Sequence, residues 1–144
     1  CNWNSLVMQA ALGQTGTAEV AVHTIDNLIK SMGVRPSLIR MDIEGYEAKA
    51  IKGMINTINN YAPRLVIELH PQLIGGEATR GLILTLQGFG YDVLYAIEKE
   101  RDFSWNAARQ AIESLSIDIL LNDKRLIEEE RGLMVFFQKH FDAK

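Results

Sequence analysis

Two short, mostly apolar runs that end in acidic side chains constrain the fold of this chain more than any other feature. The first occupies residues 38–43 and is followed by Glu44; the second occupies residues 64–69 and is followed by His70. Apolar runs of this length are typical of buried strands. Between them, apolar residues at positions 48, 51, 54, 55 and 58 follow one face of a helix. Strand, helix and strand in this order predict a βαβ unit, whose strands pair in parallel.

Acidic side chains and an imidazole stand at the exits of both predicted strands. Asp42 and Glu44 close the first run, while Glu68 and His70 alternate at the end of the second. In open α/β sheets, ligands bind beyond the carboxyl ends of the strands, so these four side chains would line one site if the two strands are neighbours. Asp42 and Glu44 point to the same side if the strand continues to Glu44. A carboxylate and an imidazole can bind a metal, orient a substrate or remove a proton.

Structural explanations remain open for several of these acids. Glu44 and Glu47 lie at the N-terminal end of the predicted helix, where negative charge interacts favourably with the helix dipole, and we rank this explanation above chemistry for both. Asp42 has apolar neighbours, and a buried carboxylate without a partner is costly. Arg40, two residues away, is one candidate for that partner.

Further patterns predict the remaining elements. Apolar residues at positions 25, 28, 29 and 32 predict a helix that has Thr24 as its N-cap and ends at Gly33. The helix after Gly45 is expected to continue to residue 60. Residues 78–87 and 106–115 are predicted as helices, 71–77 as a loop, and 91–97, 117–121 and 133–137 as strands, with 91–97 completing a second βαβ step.

Length and composition predict a single domain over residues 1–144. The chain has 144 residues, of which 47% are apolar and 23% charged, with a formal net charge of -3. Its basic residues are dispersed, so neither nucleic acid nor an anionic membrane is expected as a partner. One cysteine cannot form an internal disulfide, and neither a signal peptide nor a membrane-spanning apolar segment stands out. These features predict a cytoplasmic location.

Four elements, taken in order, resemble the signature segments of one enzyme family. They are Thr24–Leu28, similar to a Thr-Leu-Asp element; Arg40–Glu47, similar to Lys-Ile-Asp-Val-Glu-Gly-x-Glu; Ile51–Gly53, similar to Leu-Lys-Gly; and Pro63–His70, similar to Pro-x-x-x-x-Glu-x-His. Together they resemble the C-terminal part of FkbM-type S-adenosylmethionine-dependent methyltransferases.

The resemblance implies a fold, an activity and a site. The expected fold is α/β, with a three-layer, doubly wound, mostly parallel sheet of the class I, Rossmann-like kind, truncated at its N-terminus. The expected reaction is methyl transfer from S-adenosylmethionine to an oxygen of a small metabolite or sugar. Asp42, Glu44, Glu68 and His70 are the expected catalytic residues, and none is assigned to a metal. Because no Gly-x-Gly-x-x-Gly turn occurs, no residue is assigned to the cofactor, and the chain is expected to be incomplete as an enzyme on its own.

Two other functions remain open. A non-catalytic remnant or interaction module would pair through an open sheet edge, which predicts a homodimer. A metal-dependent hydrolase would use Asp42, Glu68 and His70, which predicts tight binding of a divalent ion and activity on an ester without any methyl donor.

Overall fold

The computed structural model describes residues 21–98 and 112–139, which have a mixed α/β fold. The strands are β1 (Leu38–Met41), β2 (Arg64–Leu69), β3 (Tyr91–Glu98), β4 (Ile112–Glu113) and β5 (Leu133–Lys139). The helices are α1 (Ile25–Met32), α2 (Glu47–Lys52), α3 (Ile55–Tyr61), α4 (Pro71–Ile74), α5 (Gly76–Gly88), α6 (Ile117–Leu120) and α7 (Lys124–Ile127). Within these ranges, no helix is long and apolar enough to cross a membrane.

The described strands form one open sheet in the order β1-β2-β5-β3-β4. Strands β1 and β2 pair in parallel, with Leu38 opposite Arg64 and Met41 opposite Ile67. This confirms that the two strands followed by acidic side chains are neighbours. Together with the helices between them they form a βαβ unit. The carboxyl ends of β1 and β2 therefore meet at the same edge of the sheet.

The prediction of a mostly parallel sheet is wrong for the described strands. Strand β5 pairs antiparallel with both β2 and β3, and β4 pairs antiparallel with β3. The predicted second βαβ step therefore does not place β3 beside β2, because β5 lies between them. The physical reason is that β5 presents buried Leu133, Val135 and Phe137 and so occupies the centre of the core. Its pairing partners are fixed by contacts distant in sequence, which local patterns do not contain.

Five of the predicted helices and strands agree with the structure, in segments whose apolar pattern and end residues lie close together in the sequence. Helix α1 begins after Thr24, whose hydroxyl accepts the N–H of Asn27 at 3.2 Å, and ends at Gly33 with φ 64°. Strands β2, β3 and β5 cover the runs predicted as strands, and α5 covers the helix predicted for 78–87. Part of the helix predicted for 106–115 lies outside the described residues.

Three assignments of secondary structure differ from prediction. Residues 117–120 form helix α6 and not a strand, because Ser116 caps the segment and Asp92 accepts the N–H of Ile117 at 2.9 Å. Ile112 and Glu113 pair with β3 as a strand and are not helical. The predicted loop at 71–77 contains α4 and the start of α5.

The long helix predicted after Gly45 is interrupted at Gly53. The interruption separates α2 from α3, and the N-terminus of α1 packs into it. The Gly53 carbonyl accepts the N–H of Asp26 at 3.0 Å, and a Cβ on Gly53 would lie 3.3 Å from the Cβ of Thr24. Asp26 then caps α3, since its carboxylate accepts the N–H of Thr57 at 2.8 Å. The break is therefore produced by a contact between segments that no helical periodicity reveals.

Candidate active site

A tight turn carries the chain from β1 into α2 and shapes the first half of the site. Strand β1 ends at Met41, so the strand does not continue to Glu44 as the alternation argument required. Glu44 has φ 54° and Gly45 has φ 91° instead. Gly45 fits here because a Cβ at this position would lie 2.9 Å from the side chain of Ile74 and φ is positive. The turn brings Glu44 back towards the sheet edge.

Glu47 holds this turn together from the first residue of α2. Its side chain is 1% exposed, and one carboxylate oxygen, Oε1, accepts the N–H groups of Ile43 and Gly45, each at 3.3 Å. Burial acts to raise the pKa of Glu47, but hydrogen bonds from His70 and from backbone N–H groups outweigh it and leave the pKa below its usual value. Glu47 therefore carries a buried negative charge.

His70 follows β2 and points into the site. Its side chain is 4% exposed, and its Nδ1 lies 3.1 Å from Oε1 of Glu47. That hydrogen bond, aided by the negative charges of Glu47, Glu44 and Glu68, raises the pKa of His70 although burial acts in the opposite direction. Glu47 thus fixes the orientation of the ring, and it leaves the other nitrogen facing the mouth of the site.

Three carboxylates surround the outer nitrogen of His70. Nε2 lies 3.5 Å from Oε1 of Glu68, 3.7 Å from Oε2 of Glu44 and 3.8 Å from Oδ1 of Asp42. These separations are longer than a normal N–H···O hydrogen bond, so the three carboxylates lie around Nε2 without hydrogen-bonding to it. The structure therefore brings together all four side chains predicted from the sequence, whereas their catalytic role stays a prediction.

Asp42 uses its two oxygens in different directions. Oδ2 is 2.9 Å from Nη2 of Arg40, while Oδ1 faces His70. The side chain of Asp42 is 28% exposed and that of Arg40 is 58% exposed, so this ion pair is solvated and contributes little stability. The predicted structural partner of Asp42 is confirmed, and it leaves one oxygen available to the site.

Sequence reasoning ranked Glu47 as a helix-terminal charge and left it out of the candidate site. The structure makes it the contact that fixes both the turn and the His70 ring. A signal for this was present, because Glu47 lies four residues before Ile51 and the two side chains are the buried positions of α2. A carboxylate on the apolar face of a helix requires a partner, and the partner is His70.

The arrangement limits the chemistry that the site can perform. Carboxylates and an imidazole at one point accept hydrogen bonds from hydroxyl groups, take up protons and attract cations. Asp42, Glu68 and His70 each offer an atom within 4.8 Å of the others, which is the spacing of a possible metal-ligand set. The cluster lies at the carboxyl ends of parallel strands, where α/β proteins bind ligands.

Comparison with known proteins identifies one family. The model of the methyltransferase FkbM domain matches residues 3–93, which include the turn after β1, the whole of β2, the four side chains around the outer nitrogen of His70, and Glu47. No curated protein matches the chain, and no solved structure matches it.

Proposed function

Because the chain belongs to the methyltransferase FkbM domain family, we propose that it takes part in S-adenosylmethionine-dependent transfer of a methyl group to a hydroxyl oxygen of a small metabolite or sugar. The observation that carries this proposal is the convergence of Asp42, Glu44, Glu68 and His70 at the carboxyl ends of β1 and β2. A hydroxyl acceptor needs groups that orient it and receive its proton, and this cluster supplies both.

The described residues supply the acceptor side of the reaction. When bound, the donor provides the methyl group, and its sulfur keeps the electron pair of the C–S bond that breaks. The acceptor oxygen forms the new O–C bond, and its proton passes to a side chain of the cluster. The sequence has no Gly-x-Gly-x-x-Gly turn for the methionine end of the donor, so we assign none of the described residues to donor binding.

The prediction of a class I, Rossmann-like sheet is part of this proposal. A class I, Rossmann-like sheet is supported by the common direction of β1, β2 and β3, with β5 antiparallel between β2 and β3. A single domain over residues 1–144, a cytoplasmic location and homodimer formation stay predictions.

Methyl transfer by the full protein tests the proposal. The protein is incubated with methyl-labelled S-adenosylmethionine and a panel of hydroxylated sugars and small metabolites, and labelled products are identified by mass spectrometry. With an acceptor that is turned over, Asp42→Asn is expected to lower the rate by about 100-fold or more while the circular dichroism spectrum is unchanged. His23→Gln changes an exposed imidazole outside the cluster and is the matched control.

Each alternative function predicts a different outcome of the same assay. Transfer that persists at the wild-type rate in Asp42→Asn would refute the role given to Asp42. An interaction module predicts no labelled product with any acceptor, together with a dimer by light scattering. A hydrolase predicts ester cleavage in the absence of S-adenosylmethionine, and that cleavage would be lost in Asp42→Asn.

A further inference from the structure

The side chain of His70 is buried, and its Nε2 faces three carboxylate oxygens without forming a hydrogen bond to any of them. Within the described part of the chain, Nε2 makes no hydrogen bond, and its approaches to Glu68, Glu44 and Asp42 are 3.5, 3.7 and 3.8 Å. If a protonated ring were itself the counter-ion of these carboxylates, one N–H···O contact of about 2.8 Å would be expected. The observed spacing leaves Nε2 able to bind a further group that these oxygens also face.

Ligands of a common metal ion have this spacing. Metal bonds of about 2.1 Å place neighbouring ligand atoms about 3 to 4 Å apart. The ligand atoms of Asp42, Glu68 and His70 all lie within 4.8 Å of one another, and the approaches to Nε2 fall inside the expected range. Asp42 is the least buried of the three, with a side chain that is 28% exposed.

The surroundings of the three side chains match those of metal ligands. A histidine that binds a metal commonly donates its other N–H to a carboxylate, which fixes the tautomer and turns the free nitrogen towards the ion. Glu47 occupies that position at 3.1 Å from Nδ1. Arg40 does the same for Asp42, because it binds Oδ2 and leaves Oδ1 directed at the site.

We propose that Asp42, Glu68 and His70 form a binding site for a divalent cation. One imidazole and two carboxylates suit a first-row ion that accepts both nitrogen and oxygen, such as Mn²⁺. Glu47 is a positioning residue for the His70 ligand. Three protein ligands leave coordination positions open, and an acceptor hydroxyl that occupies one of them becomes more acidic.

A bound ion would also give the four side chains different roles, with three as metal ligands and Glu44 as the proton acceptor. With Asp42, Glu68 and His70 occupied as ligands, Glu44 is the remaining carboxylate that faces Nε2, and its side chain is 68% exposed. The acceptor O–H bond then breaks with its proton passing to Glu44. This catalytic consequence rests on the proposed methyl transfer, whereas the binding of the ion does not.

Binding of Mn²⁺ to the full protein, followed by the loss of the electron paramagnetic resonance signal of the free ion, tests the site directly. We expect one ion for each chain. Asp42→Asn, Glu68→Gln and His70→Gln are each expected to weaken binding by at least about 10-fold, and Glu47→Gln by about 10- to 100-fold. Rescue in Glu47→Asp, which keeps the carboxylate, would separate the positioning role from loss of the fold.

Two matched controls address non-specific binding and misfolding. His23→Gln and Glu77→Gln remove an exposed imidazole and an exposed carboxylate outside the site, and both are expected to bind Mn²⁺ as the wild type does. Asp42→Asn changes the most exposed of the three ligands, so its fold is the least at risk, and circular dichroism checks it. Absence of stoichiometric binding, or binding that Asp42→Asn leaves unchanged, would overturn the proposal.

The metal-site proposal and the methyl-transfer proposal can be refuted independently of each other. Methyl transfer that proceeds fully after treatment with a chelator, in a protein that binds no Mn²⁺, would remove the metal site and leave the proposed function. Stoichiometric Mn²⁺ binding without transfer to any acceptor would retain the site and remove the function.

Discussion

Replacement of Asp26 tests how α1 holds the helices that follow the active-site turn. The Asp26 carboxylate accepts the backbone N–H groups of Asn56 at 3.1 Å and Thr57 at 2.8 Å, and also the Thr57 hydroxyl at 2.7 Å. It therefore caps the N-terminus of α3 from a separate segment, because it lies 30 residues before Asn56 and the N-cap residue Met54 makes no side-chain capping hydrogen bond. Asp26→Ala removes all of these acceptors, while the small alanine side chain fits on the surface of α1.

The expected loss of stability follows from two contributions. Removal of a helix N-cap costs about 1–2 kcal/mol. Thr57 is 2% exposed, and a buried hydroxyl left without its acceptor costs about 1–3 kcal/mol. Because the two overlap at Thr57, we expect Asp26→Ala to lower the free energy of unfolding by about 2–4 kcal/mol. Asp26→Asn keeps one acceptor oxygen and is expected to lose about half as much.

Urea denaturation followed by circular dichroism measures this loss. Asp118→Ala is the matched control, since Asp118 is also in the first turn of a helix, and within residues 21–98 and 112–139 its carboxylate accepts only the side-chain amide of Gln87. The control is expected to change the free energy of unfolding by less than about 0.5 kcal/mol. A loss below about 0.5 kcal/mol for Asp26→Ala would refute the capping role.

The difference in free energy of unfolding between wild type and Asp26→Ala depends on pH, because the pKa of Asp26 differs between the folded and unfolded states. Burial acts to raise this pKa, but hydrogen bonds from Thr57 and Asn56 outweigh it and leave the pKa below its usual value. A carboxyl with a lowered pKa in the folded state stabilises the protein above its unfolded pKa of about 3.9 and loses that contribution as pH falls through the folded pKa. The difference between wild type and Asp26→Ala is therefore expected to be constant near neutrality and to shrink below about pH 4.

Further substitutions test the packing of α5 and β3 by urea denaturation. Gly76→Ala is expected to destabilise the fold severely, by about 3 kcal/mol or more, because its Cβ would lie within 3 Å of the Ile127 backbone. Gly81→Ala on the same helix meets nothing within 4 Å and is expected to add about 0.5–1 kcal/mol, so equal effects of the two would refute the argument. Tyr91→Phe is expected to cost about 1–2 kcal/mol, because the buried hydroxyl donates to the Pro63 carbonyl at 2.8 Å, and an unchanged unfolding midpoint would contradict this.

Local patterns in the sequence predict the half of the sheet that carries the site. The apolar runs and acids of β1 and β2 give their pairing and the convergence of four side chains, because a βαβ unit is a local structure. The insertion of β5 between β2 and β3 is decided by pairing between segments distant in the chain, so periodicity does not reveal it. The geometry of the turn is equally hidden, since φ of 54° at Glu44 replaces the strand alternation that was expected to align it with Asp42.

Recognition of the family does not by itself assign a role to each signature residue, and the structure divides those residues into two groups. Thr24 and Asp26 contact Gly53 and the N-terminus of α3, which makes this group a brace around the break after α2. The second group lies around His70 at the sheet edge, and Glu47 contacts both the His70 ring and the turn after β1.

The two groups are joined because α2 begins at Glu47 and ends beside Gly53. The contacts of Thr24 and Asp26 thus affect the site only through the position of α2. Their loss is expected to lower the free energy of unfolding and to leave the geometry of the site in the folded protein unchanged. We therefore expect Asp26→Ala to reduce stability while the folded protein keeps its Mn²⁺ affinity. Glu47→Gln is expected to reduce the affinity in protein that remains folded, so weakened binding in folded Asp26→Ala would show that the two groups are not separable.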